Sequence, residues 1–259
     1  MGEFSAHWVR VQREVSDTTR VCAYDRAGMG WSEMGPDPRD AKQITSELHT
    51  LLSKAGIEGP YVLVGHSLGG LSMLTYAARY PDEVAGVTLV DSSTELDQFS
   101  HQPKARDSNE PQEQSLALVP RLAQFGVSLL AQLGVVRLLS NLTPAPPELP
   151  PQQRAQIDAL APSTRGVSTY AGEFLAPTQT RRLESLGNKP LAVVTAGKSE
   201  PSWLKRQDKL ATLSSNSIHR VVKGATHTSL LYERSDSQAT SAAIVEVVGA
   251  VRNDRPLAR

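Results

Sequence analysis

The chain has 259 residues, with 27 lysines plus arginines against 27 aspartates plus glutamates. That length suits one large α/β domain, or a core with an insertion, and the zero net charge gives no electrostatic case for nucleic acid or an acidic membrane surface. A single cysteine excludes an internal disulfide, no Cys/His spacing of a metal site occurs, and neither a transmembrane-length apolar run nor a signal peptide is read.

Residues 5–15 carry Trp8, Val9, Val11 and Val15 at the spacing of a short amphipathic helix. Residues 20–24, Arg20-Val21-Cys22-Ala23-Tyr24, read as a buried strand with Cys22 as a packed core thiol. Residues 25–32 form a glycine-rich loop. It lacks the Lys-Ser/Thr ending of a P-loop and the full dinucleotide spacing, so it reads as structural. Asp40 caps a helix beginning at Ala41, with Gln43 completing a weak capping box. Ile44, Leu48, Leu51 and Leu52 give that helix its apolar face, and Gly56 ends it. Residues 61–64 are a strand. Gly65-His66-Ser67-Leu68-Gly69-Gly70 follows, then a helix through Leu71, Leu74, Ala78 and Tyr80. Pro81-Asp82 turns the chain into a buried strand that ends at Asp91.

Residues 92–187 have a different texture. Residues 100–114 read as a mobile polar loop, and 116–139 as two apolar-faced helices broken at Pro120, Gly126 and Gly134. Prolines 144, 146, 147, 150 and 151 make a stiff connector. Helix is predicted over 151–160 and 166–184, and no strand pattern is seen in this block. Strands return at 191–195 and 218–222, with a helix near 203–213 between them and a last helix through Ala242, Ile244, Val247 and Val251. Alternating strands and helices predict an α/β fold with a mostly parallel sheet, helices on both faces, and a helical insertion. The expected division is a core of 1–91 and 188–259 and an insertion of 92–187.

Strand, Gly-x-Ser-x-Gly, helix is the context of a nucleophile elbow. The turn is strained and leaves room only for small neighbours, read as Gly65 and Gly69, and helix N-terminal amides point at Ser67. A serine needs a base, and on such sheets the chain order is serine, acid, histidine. His227, in the turn after the last strand, is the expected base. His66 supports the elbow, His219 packs at a strand edge, and His7, His49 and His101 show no partner. Two carboxylates end core strands and compete as the acid, Asp91 and Glu200. Asp91 would otherwise bond backbone amides, and Glu200 would otherwise be an exposed charge at a helix start.

These residues resemble the α/β-hydrolase superfamily, and within it bacterial proteins with a Tyr-Asp-Arg-Ala-Gly-x-Gly-Trp-Ser stretch, here Tyr24 to Ser32. The elbow, the Asp91-Ser92-Ser93 strand end, Thr195-Ala196-Gly197 and Gly224-Ala225-Thr226-His227 carry the same resemblance. It favours Asp91 over Glu200 as the acid, although the wider superfamily more often uses the Glu200 position. It implies that 92–187 form a cap over Ser67. It also implies three strands ahead of the first helix that this chain lacks, which leaves sheet edges open to self-association. A truncated start is the expectation. A cytoplasmic location is the expectation, and the missing part leaves it open to a lost signal or membrane segment. The Leu68 amide is one expected oxyanion donor, and Met1 or Gly2 stands in for the second.

The implied activity is a serine hydrolase acting on a carboxylic ester or related acyl bond of a small to medium, partly apolar substrate. No cofactor and no metal are needed, the partner is a small-molecule acyl substrate, and the oligomeric state is open. A non-catalytic ligand-binding protein on the same scaffold and an acyltransferase are the alternatives.

Overall fold

A computed structural model of the chain describes residues 2–93, 126, 129–140, 144–176 and 183–257. A 3₁₀ turn, Ser5–Trp8, leads into α1 (Val9–Ser16). Next come α2 (Ala41–Lys54), β1 (Tyr61–His66), α3 (Leu68–Arg79) and β2 (Val84–Val90). The described helices before the next strand are α4 (Val135–Ser140), α5 (Pro151–Leu160) and α6 (Thr164–Leu175). The chain then runs through β3 (Leu191–Ala196), α7 (Pro201–Ala211), β4 (Ser217–Val222), the single turn α8 (Ser229–Tyr232) and α9 (Arg234–Arg252). Among the described residues no helix is long and apolar enough to cross a membrane.

The four strands among the described residues pair in chain order, all parallel. The near-continuous apolar sequences of the inner strands β2 and β3 match burial on both faces, whereas β4, at the end of the order, buries only Ile218. Side chains alternate across the sheet, and β3 shows it residue by residue. Leu191 and Val193 join Leu63, Val87 and Leu89 under Met73, Tyr76 and Leu210 of α3 and α7. Ala192, Val194 and Ala196 face the other way, onto Ala243, Val247 and Ala250 of α9. A third cluster joins Val11 and Val15 of α1 to Leu231, Tyr232 and Ile244, and to Leu149 and Ile157 around α5.

Helix ends follow their capping chemistry. The Asp40 side chain accepts from the Gln43 amide at 2.7 Å, and Gly56 turns the chain out of α2 at φ +61°. Gly134 (φ +75°) separates helical residues 129–132 from α4. The predicted loop at 100–114 and the 116–125 part of the predicted helical run 116–139 lie outside the described residues.

Residues 20–24 correct the sequence reading. They run without strand pairing, and β1 has a strand neighbour on one side only among the described residues. A strand is defined by its ladder, so β-prone residues without a partner do not make one. Val21 and Tyr24 pack against the core clusters, while Cys22 is exposed rather than a core thiol.

Candidate active site

Parallel pairing brings the carboxyl ends of the strands to one edge, the usual ligand-binding edge of such sheets. His66 lies opposite Val90, so Ser67 and Asp91 emerge side by side from β1 and β2. The Ser67 amide donates to the Val90 carbonyl at 3.1 Å, and the Ser93 amide donates to the Ser67 carbonyl at 3.0 Å. Both Ser67 (φ +53°) and Asp91 (φ +42°) hold left-handed backbone that side chains disfavour.

Close packing maintains the elbow. A Cβ on Gly65 would meet the Gly69 backbone at 2.6 Å, and one on Gly70 would meet Ser92 Oγ at 1.8 Å. A Cβ on Gly69 would meet nothing within 4 Å. The residues that space restricts are therefore Gly65 and Gly70, and the reading of Gly69 as a tight neighbour is corrected.

His227 reaches the same edge from the turn after β4, where the Lys198 amide donates to the Ala225 carbonyl at 3.0 Å and Ser229 Oγ closes the turn onto Thr226. His227 Nδ1 donates to Asp91 Oδ2 at 2.6 Å. Asp91 Oδ1 accepts from the Ala196 amide at 3.1 Å and from Trp203 Nε1 at 2.8 Å. Burial alone would raise the Asp91 pKa. The bonds from His227, Trp203 and Ala196 outweigh it and hold the carboxyl below its ordinary value. Glu200 is exposed at the N-cap of α7, away from this pairing. The structure thus brings His227 together with Asp91 and not with Glu200.

Glu3, Trp203 and Gln207 at the site went unrecognised in the sequence. Trp203 and Gln207 lie four residues apart on one face of α7. Gln207 is fully buried and clamps Ser92 through both its amide oxygen (3.1 Å) and its amide nitrogen (2.7 Å). His66 is buried, with Nδ1 2.7 Å from Glu3 Oε2 and Nε2 2.9 Å from the His227 carbonyl oxygen. Leu68 opens α3 directly after Ser67. Met1 lies outside the described residues, whereas Gly2 is wedged so that a Cβ would meet the Tyr170 ring at 2.7 Å and Met29 Cε at 2.8 Å.

The glycine-rich loop fastens α6 to the core. Arg26 grips Glu173 with two bonds, of 2.9 and 2.7 Å, and Arg165 donates to the Gly30 carbonyl at 2.7 Å. The remaining histidines have partners too. His219 bridges Thr195 and Asp208 at 2.8 Å each, His49 bonds Glu83 at 3.0 Å, and His7 stacks edge-on with Phe4. His101 lies outside the described residues.

A family model described as the alpha/beta hydrolase fold matches residues 2–233. An uncharacterized protein of Schizosaccharomyces pombe is 28% identical over 235 residues, 87% of this chain and 41% of its own. An AB hydrolase superfamily protein of Gibberella zeae is 37% identical over 92 residues, 34% of this chain and 29% of its own. The matched segments therefore span less than half the length of either relative. The solved structure of a thermophilic esterase from Thermogutta terrifontis superposes with a TM-score of 0.64 at 22% identity, covering 96% of this chain and 86% of that one, a likeness of fold. With the match running through the elbow, the Asp91 strand end and the His227 turn, the chain belongs to the α/β-hydrolase family.

Proposed function

We propose that this protein is a serine hydrolase that cleaves a carboxylic ester, or a related acyl bond, of a small to medium and partly apolar substrate. The observation that carries the reading is the Asp91–His227 pair beside a serine held at φ +53° on a strand-to-helix turn. Ser67 Oγ attacks the carbonyl carbon and His227 Nε2 takes its proton. Asp91 fixes the tautomer that leaves Nε2 free, and it stabilises the imidazolium that forms. His227 returns the proton to the leaving group, and water then releases the acyl chain by the same base. The Leu68 amide, at the start of α3, is one oxyanion donor, and Met1 or Gly2 supplies the second. Residues 92–187 act as the cap that shapes the acyl pocket, and the Arg26–Glu173 pair supports that role.

The test is intact-protein mass after exposure to a fluorophosphonate, with Ser67→Ala as control. The expected result is one adduct on the native chain and none on the variant, with hydrolysis of short acyl esters lost in parallel. A folded native chain that takes no adduct contradicts the reading and points to a non-catalytic member of the family.

A further inference from the structure

His66 is not needed to complete the serine, base and acid set, yet it is the most enclosed ionisable group beside it. Its side chain is 1% exposed, and both ring nitrogens are engaged, Nδ1 with Glu3 Oε2 at 2.7 Å and Nε2 with the His227 carbonyl oxygen at 2.9 Å. A carbonyl oxygen only accepts, and so does an ionised carboxylate. An imidazole that satisfies both must carry a proton on each nitrogen. A neutral ring would press a lone pair against one of these oxygens around a buried side chain, where an unmet polar contact is most costly.

Glu3 acts on Tyr232, and His7 and His227 lie close enough to act on the Glu3 charge. Burial pushes its carboxyl up, but these neighbours, His66 foremost, overcome that and hold it well below the usual carboxylate range. Burial likewise opposes the His66 charge, and it is outweighed by Glu3, by the His227 carbonyl and by the more distant Asp91, so His66 titrates above an ordinary histidine. His7 is displaced the other way, chiefly by burial. The nearby Arg26 has its own counter-ion in Glu173.

We propose that His66 is a standing imidazolium, anchored by Glu3, that positions His227 by holding its backbone carbonyl while Asp91 holds its ring. This rests on the reading of His227 as the base. The two devices act on different atoms. Asp91 sets which ring nitrogen is free, and His66 sets where the turn carrying the ring stands. The charges also fit the proton transfer. At rest the cluster holds the carboxylates of Glu3 and Asp91 against one cation on His66. The rings of His66 and His227 lie 4.4 Å apart between centroids, and a proton on His227 gives the second carboxylate its own cation.

The first experiment is long-range proton–nitrogen correlation NMR on the native protein at about pH 7, with His66→Gln to assign the ring. Two protonated nitrogens on His66 are expected, and a neutral tautomer would overturn the proposal. The spectrum is read without turnover, so it is decided separately from whether Ser67 reacts. The second experiment uses Glu3→Gln, which keeps the shape and removes the counter-ion. It should bring the His66 ring to its neutral form and lower kcat on the order of 10- to 100-fold with KM little changed, and Glu3→Asp should recover part of both. Glu3→Gln protein that folds and turns over like the native chain would refute the positioning role.

Discussion

Asp91 shows how much one residue's position contributes. Its two oxygens accept three hydrogen bonds, from Ala196, Trp203 and His227, at the end of a strand where its own backbone is strained. Asp91→Asn keeps the size and most of that packing, but its amide offers His227 Nδ1 a donor as readily as an acceptor. The imidazole then settles in the tautomer that cannot take the serine proton, and kcat should fall on the order of 10²- to 10⁴-fold with the melting temperature little changed. Trp203→Phe removes only one bond to Asp91 and should cost about tenfold. Glu200→Gln, at an exposed helix start, should leave steady-state rates unaltered. A large loss at Glu200 with none at Asp91 would reverse the assignment of the acid.

Between elements, the Arg26–Glu173 pair is the strongest single tie from the glycine-rich loop to α6. The Glu173 side chain is fully buried and that of Arg26 is 18% exposed. Breaking such a pair from one side strands a buried charge. Arg26→Met should therefore destabilise the fold by about 3 kcal/mol in urea unfolding, while Arg26→Met with Glu173→Met should recover most of that loss. Additive losses would mean that the two residues act independently. This tie also marks where sequence reading stopped. The β1–elbow–α3 unit, β2, β3, β4 and α9 were legible because apolar period and turn chemistry are local properties. Glu3 with His66 and Arg26 with Glu173 are 63 and 147 residues apart, and no local pattern announces such pairs. Trp203 and Gln207 left only the hint of two residues on one helical face. Residues 20–24 have strand-like composition but no ladder, and composition alone cannot show whether a partner is present.

Over the whole molecule, the buried charges set the pH range in which the fold is most stable. Glu3 is lowered from 4.5 to about 2, against burial and mainly through His66, and Asp91 is also lowered from its ordinary value of 3.8. Each stabilises the fold fully above its ordinary value and loses that contribution as the pH falls through the folded value, because the unfolded chain takes up the proton first. For Glu3 the displacement corresponds to about 3 kcal/mol. His66 has the opposite sign. It is raised above 6.5, so its contribution is complete below 6.5 and disappears as the pH rises through its folded value. His7, lowered by burial, partly offsets it, being cost-free above 6.5 and unfavourable below. Total stability therefore mixes the two histidines, and the informative quantity is the difference between native and variant. Urea unfolding from about pH 3 to about pH 9 should show the Glu3→Gln penalty shrinking on the acid side and the His66→Gln penalty shrinking on the alkaline side. Penalties that stay flat across that range would mean that both side chains stabilise the fold by shape alone. The charged pair under the His227 turn would then have no energetic basis.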